Sequence, residues 1–304
     1  MNEVREVTPG TAPRASGPPS RAPAAAYLTV SAVFHYLGPA FAVLLFSRVD
    51  AVGVAWLRIA SAAVVFAVAR RPWRLVARLA AEQRRVLLGL GVVLAAMNTV
   101  FYLAVARLPL STVGAIEFLG AIVLAAAGLR TGRNALALGL AVAGVFTLTD
   151  IRLASEPLGF VFAFANCALF MLYVTLGHRI ANAGQSGGSR WSGVDQLGAA
   201  MLVAAVAALP AGLLRAAPAF THPVWLLAGA AVGVCSSVIP YVSDQLAMAR
   251  LHRSTFALML SILPASATVV GLVVLAQRPT VRDLTGVALV IVAVAIHQQS
   301  HISR

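Results

Sequence analysis

The chain has 304 residues, of which 60% are hydrophobic and only 11% charged, about half the charged fraction of an ordinary soluble domain. That composition excludes a soluble globular protein and reads as an all-α integral membrane protein. Its basic residues are all Arg, 23 of them against 10 acids, and their placement explains the net charge of +13 without a nucleic-acid partner.

Residues 1–24 are rich in Pro, Ala, Ser, Gly and Thr with almost nothing to pack, and are expected to form a disordered cytoplasmic tail. The apolar run that follows is of span length and leads straight into a second, which argues against a cleaved signal peptide. About 20 apolar helical residues cross a hydrocarbon core of about 30 Å. Ten such stretches follow the tail, roughly 26–46, 51–69, 86–106, 109–129, 134–149, 157–177, 194–214, 224–248, 254–276 and 283–298. The connections are short, except Arg70 to Arg85 and His178 to Gly193, the latter with a flexible Gly/Ser-rich run. With the N-terminus in the cytoplasm, inner segments hold sixteen arginines and outer segments six. This positive-inside pattern predicts a multi-pass protein of the cell (plasma or inner) membrane with both termini cytoplasmic.

Ala106-Arg107-Leu108-Pro109-Leu110-Ser111-Thr112 is echoed by Ala249-Arg250-Leu251-His252-Arg253-Ser254-Thr255, each at the junction of the third and fourth spans of a half. Each half also ends in a helix with an early glycine, Gly139 and Gly286. Five spans per half is an odd number, so the halves lie in opposite senses. The expected architecture is ten transmembrane helices in two inverted five-helix repeats, 26–149 and 157–298. Such repeats characterise secondary transporters, whose small-molecule substrate binds near the midplane between the halves.

Glu117 lies about 12 Å along the helix that starts at Pro109, close to mid-membrane. A carboxylate at that depth costs a few kcal/mol and must face protein or a water-filled cavity. Two roles fit it: exchange of a substrate ammonium group or a proton, or a structural acid paired with Arg58. Arg58 is itself about 10 Å into the second span. It is placed to hold a substrate carboxylate, or else to snorkel outward or neutralise Asp50 or Glu117. Asp244 shares a helical face with Tyr241, Pro240 and Ser237, as an inner gate or as an ion pair with Arg250 or Arg253. Asn98 with Tyr102, and Asn166 with Tyr173, recur at helical spacing and either line the cavity or bind helices together. His35, one turn after Ser31, is a proton carrier or a structural histidine. Cys167 and Cys235 sit in apolar spans without disulfide or metal spacing and read as small buried residues. There is no phosphate loop, nucleophile elbow or His-Glu-x-x-His, so the chain carries no signature of an enzyme or of an ATP-driven pump, and neither a cofactor nor a metal is expected.

Ala115-Ile116-Glu117-Phe118-Leu119-Gly120 resembles the Ala-Leu-Glu-Phe-Thr-Gly-Pro motif of amino-acid exporters in the drug/metabolite transporter superfamily, the branch of threonine/homoserine exporters with paired EamA domains. Trp56-Leu57-Arg58-Ile59-Ala60, Pro72-Trp73-Arg74-Leu75, Ser236-Ser237-Val238-Ile239-Pro240-Tyr241 and Leu260-Ser261-Ile262-Leu263-Pro264-Ala265 agree with it, so the likeness runs from about Ala26 to His297. Two positions depart: Ala121 replaces the motif's proline, and Leu263 stands where the second half of the pattern has an acid. The resemblance implies a secondary transporter exporting a small amino acid or related metabolite, driven by protons or by the substrate's own gradient. An exporter of lipophilic cations is the alternative, and a membrane enzyme or lipid-handling scaffold a remote one. The fifth and tenth spans, apolar in their middles, are assigned to the periphery or to a homodimer contact.

Overall fold

A chain in lipid must satisfy every backbone N–H and C=O internally, which a helix does within one segment. The computed structural model describes residues 21–128, 132–149, 155–185, 193–248 and 263–299, and among these every regular element is helical. They are α1 (Arg21–Leu45), α2 (Ala51–Arg70), α3 (Trp73–Arg78), α4 (Ala81–Val105), α5 (Leu110–Gly128), α6 (Gly132–Thr149), α7 (Pro157–Gln185), α8 (Gly193–Phe220) and α9 (Pro223–Gly233). A π-helical turn, Val234–Val238, joins α9 to α10 (Ile239–Met248), and α11 (Leu263–Leu275) and α12 (Val281–Gln299) follow.

Among the described residues five helices are long and apolar enough to span a membrane, at Ala51–Arg70, Ala81–Val105, Pro157–Gly177, Gly193–Phe220 and Pro223–Ser243, and four more apolar helices are shorter. The expected tail, up to residue 20, and the start of the expected ninth span lie outside the described residues. α1 begins at Arg21, inside the expected tail, where an Ala-rich stretch with Pro23 in its first turn favours a helix. α7 runs on to Gln185, through the start of the expected connection, since no proline stops it.

The helix ends are closed by identifiable groups. Asp50 Oδ1 accepts from the Val52 amide at 2.9 Å at the start of α2, and Arg71 ends that helix with a left-handed φ of 50°. Thr280 and Asp283 bond each other's backbone amides ahead of α12. The first amide of α5 is capped from another segment, by Gln277 Oε1 at 3.2 Å from the Leu110 nitrogen. The short helix α3 buries Leu75 and exposes Trp73 beside Arg74 and Arg78, the amphipathic character of a segment at a membrane interface.

Two apolar clusters are stacked along the helices. On α2, Val54, Ala55 and Leu57 belong to one and Ile59, Ala62, Ala63 and Phe66 to the other. On α4 the change falls between Met97 and Phe101, and on α7 between Cys167 and Leu169. Beyond α9 it falls between Val232 and Val238. The residues at these crossings are Arg58, Asn98, Asn166 and Ser236-Ser237, all buried. A polar layer therefore separates two greasy ones.

α2 packs on α8 and α9, α4 on α7 and α8, and α1 on the π turn, α10 and α11. α5 contacts α6, α7, α11 and α12. The fifth and tenth expected spans, α6 and α12, pack on each other within the chain. Their backbones meet at Gly144 and Gly286, where a Cβ on either would lie 2.7–2.8 Å from the other's carbonyl oxygen. Gly139, the glycine expected from the sequence pattern, has open space beside it.

α2 and α8 run antiparallel and are tied at both ends. Arg70 Nε and Nη2 bond Asp195 Oδ1 and Oδ2 at 2.9 and 3.3 Å at one end, and Arg215 Nη1 bonds Asp50 Oδ2 at 3.1 Å at the other. Each Arg follows the Asp of its own helix by 20 residues, and each Asp is followed three residues later by a glycine, Gly53 or Gly198. A Cβ on Gly53 would press the Arg215 carbonyl at 2.6 Å, and one on Gly198 the Phe66 side chain at 3.1 Å, so both glycines permit the close seam.

The two ties differ in burial: the side chain of Asp195 is 9% exposed and that of Asp50 41%. Asp195→Asn is therefore expected to lower the stability of the detergent-purified protein by about 1–2 kcal/mol, the scale of a buried hydrogen bond to a charged group. Asp50→Asn keeps the cap acceptor and loses only a solvent-screened pair, with a cost below about 1 kcal/mol. Thermal unfolding midpoints measure both, and the reverse order would mean that burial does not set their weight.

Candidate functional site

The guanidinium of Arg58 is buried halfway along α2, and a cation there needs partners. It finds them on the π turn: Nε donates to Ser237 Oγ at 3.0 Å and Nη2 to the Ser236 carbonyl at 3.3 Å. That carbonyl lacks its ordinary i+4 helical donor for a reason written in the sequence. Pro240, four residues on, has no N–H to give it. The Arg58 Cζ also lies 5.4 Å from the centre of the Tyr102 ring, a cation–π contact. Of five guanidinium N–H groups two are accounted for by these hydrogen bonds, which leaves donors for a further acceptor. Arg58 neither snorkels to an interface nor pairs with Asp50, which is engaged with Arg215.

Glu117 is carried by α5, midway between Gly114 and Gly120, one helical turn to either side. These glycines let neighbouring helices close in. A Cβ on Gly114 would lie 2.8 Å from Tyr36 Oη of α1, and one on Gly120 would lie 2.9 Å from Cys167 Sγ of α7. Glu117 is partly buried and has Arg58, Tyr36, Asn166 and Cys167 within its electrostatic reach. Among the described residues four buried polar side-chain atoms lack a hydrogen-bond partner: Tyr36 Oη, Tyr102 Oη, Asn166 Nδ2 and Thr112 Oγ1. Three of these four residues face Glu117 or Arg58. Buried groups of this kind are costly and few, and their gathering around one acid and one base makes this the candidate site.

Arg58, Tyr102, Glu117 and Asn166 thus come together, with His35 edge-on to Tyr36 at 5.2 Å between ring centres and within reach of Arg58. Asn98 is at the same level, but its amide nitrogen bonds the Leu94 carbonyl of its own helix at 2.8 Å. Tyr173 and Tyr241 pack against the cluster on the Arg70 side of the layer, away from Glu117. Asp244 belongs to α10, and its side chain lies outside the described residues. Sequence reasoning missed Tyr36 and the π turn as elements of the site. The signals were present as Gly114, one turn before Glu117, and as Pro240 four residues after Ser236. Among the described residues no group of three or more His, Cys, Asp or Glu side chains is arranged to hold a metal.

Close approach keeps the π turn against α1 and α2. A Cβ on Gly38 would collide with the Ser236 side chain, and one on Gly233 with Ser61 Oγ and, at 2.5 Å, with the Arg58 carbonyl. Gly38→Ala and Gly233→Ala are expected to lower stability by about 1–3 kcal/mol through overpacking. Gly139→Ala, with open space, is expected to raise it by about 0.5–1 kcal/mol. Unfolding midpoints in detergent compare the three, and an unperturbed Gly233→Ala protein would refute the tight seat for Arg58.

The EamA-like transporter family matches residues 157–297. The chain is 32% identical over 259 residues to "Threonine/homoserine exporter RhtA" of Escherichia coli strain K12, covering 84% of each chain. The same identity and coverage hold for the protein of that name in Salmonella typhimurium strain LT2. These relatives are transporters and not enzymes. The chain therefore belongs to the EamA-like transporters of the drug/metabolite superfamily, in the branch of the threonine/homoserine exporters.

Proposed function

We propose that this protein exports a small amino acid, threonine or homoserine or a close relative, across the cell membrane, with Glu117 holding the substrate ammonium and Arg58 its carboxylate. The observation that carries this is the pair itself: an acid on α5 and a base on α2 within electrostatic reach of each other, each with neighbours whose polar atoms are unpaired. A zwitterion has charges of the matching signs and meets both. A lipophilic cation would meet Arg58 as well as Glu117, so the pair favours the amino acid over the cation. The names of the relatives point the same way.

The reading includes two inverted five-helix repeats, 26–149 and 157–298. The helix pairings support it. Exchange each span for the one five later and α4 on α7 becomes α9–α10 on α1, α4 on α8 becomes α9 on α2, and α5 on α7 becomes α11 on α1. The reciprocal ties Asp50–Arg215 and Asp195–Arg70 obey the same exchange, and the family match falls on the second repeat. The arginine asymmetry supports both termini in the cytoplasm. Transport runs on exchange for protons at Glu117 or on the substrate gradient. Tyr173, Tyr241 and Asp244 belong in this reading to the cytoplasmic approach to the site, and His35 and Asn98 to its walls.

Labelled threonine and homoserine flux in proteoliposomes, with and without a pH gradient, tests it. Glu117→Gln is expected to reduce flux roughly tenfold or more, on the scale of one charged hydrogen bond, and to remove any response to the gradient. Arg58→Gln should raise the half-saturation concentration for the amino acid by a similar factor and leave that for its methyl ester nearly unchanged. Wild-type rates and pH response in Glu117→Gln would sink the acid's role, and equal effects on acid and ester would sink the carboxylate role of Arg58.

A further inference from the structure

The proposed site accounts for the two charges of an amino acid and leaves two neutral groups unused. Tyr36 is 0% and Asn166 1% exposed; Tyr36 Oη has no hydrogen-bond partner, and Asn166 Nδ2, which reaches toward Glu117, carries a second N–H to give. They come from different helices, α1 and α7, and both face Glu117 on α5. Tyr36 is held there on purpose of shape: its hydroxyl lies over Gly114, where any larger residue would displace it.

The chemistry of a group that would satisfy both is narrow. An anionic group is disfavoured by the nearby Glu117 carboxylate, and a second ammonium would compete with the substrate's own for that acid. An apolar side chain would leave the phenol and the amide buried and unpaired, which binding sites penalise heavily. A neutral hydroxyl accepts from Asn166 Nδ2 and donates to or accepts from Tyr36 Oη. We propose that Tyr36 and Asn166 form the subsite that reads a hydroxyl group on the substrate's side chain, so that the transporter selects hydroxylated amino acids over apolar ones of equal size. This rests on the amino-acid reading and sharpens it. Glu117 and Arg58 fix the common backbone groups, and Tyr36 with Asn166 supplies the discrimination.

The isosteric pair threonine and valine isolates the hydroxyl, as homoserine and norvaline do for the longer chain. In competition against labelled threonine in proteoliposomes, the wild type is expected to prefer threonine over valine by about tenfold or more, the scale of one net hydrogen bond. Tyr36→Phe removes one oxygen and keeps the ring. It is expected to bring the preference to within about threefold, by weakening threonine while valine is unchanged or improved. Gly114→Ala displaces the same hydroxyl while leaving the tyrosine in the sequence and should shift the ratio in the same direction. Asn166→Leu provides a second route to the same loss if the Tyr36 variant is poorly folded. A wild type that takes valine as readily as threonine overturns the proposal, as does a Tyr36→Phe protein with an intact ratio. Equal loss of both substrates in Tyr36→Phe also overturns it, since the phenol would then serve Glu117 and not the side chain. Absence of competition by any amino acid would refute the amino-acid reading itself, an outcome distinct from amino-acid competition without hydroxyl preference.

Discussion

A guanidinium held inside an apolar helix bundle is the constraint to which the middle of this protein answers. Arg58 cannot be left unpaired between two greasy clusters, and the surrounding helices are shaped to supply what it needs. Pro240 frees a carbonyl, the π turn presents it together with a serine hydroxyl, and Gly233 and Gly38 let the turn lie against α2 and α1. A π turn inserted into an otherwise apolar helix weakens local hydrogen bonding, and such insertions gather at functional sites for this reason. Here the weakness is turned to use, because the backbone group released from the helix is the one the arginine takes.

The same arrangement explains why the polar layer is continuous. Four helices cross from one apolar cluster to the other, and each carries its polar residue at the crossing: Arg58, Asn98, Asn166 and the Ser236-Ser237 pair. Asn98 gives its amide nitrogen to a carbonyl of its own helix, whereas Tyr36, Tyr102 and Asn166 keep buried polar atoms without partners. The layer thus contains both closed and open hydrogen-bonding groups. Under the transporter reading, the closed ones hold the bundle and the open ones meet substrate.

Much of this was legible in the sequence. Long apolar stretches with short connections fixed the helices, because length and hydropathy alone decide what crosses lipid. Glu117 and Arg58 stood out because charges are rare in such stretches. Tyr36 did not, since a tyrosine in a span carries no signal by itself, and only its approach over Gly114 places its hydroxyl beside Glu117. The seat of Arg58 was hidden for a similar reason: Ser236 and Pro240 are ordinary residues until the helix that holds them loses one hydrogen bond. The reciprocal ties of α2 and α8 were written as two Asp-x-x-Gly sequences, each with an Arg 20 residues after the Asp. A spacing that long has no local meaning and becomes a signal only when the two helices lie antiparallel.

The asymmetry between the halves follows from what stands opposite each charge. Counting from the paired aspartates, Val203 of α8 occupies the position of Arg58 in α2, and it fills the space over Gly91 of α4 as a plain packing residue. Leu263, buried at the start of α11, stands where the family pattern has a second acid. Both charged residues of the proposed site therefore come from the first half of the chain, while the second half contributes Asn166, Ser236 and Ser237, all neutral. In the two-repeat reading, two charges on one half would keep a fixed spacing if the halves shifted against each other, so a zwitterion would stay matched to them throughout such a movement. The neutral groups of the other half cost less to part from a substrate than charges would, because breaking a neutral hydrogen bond forfeits about half the energy of a charged one. Under the transporter reading, a site so divided would hold its substrate by the half that carries the charge and release it by the half that does not.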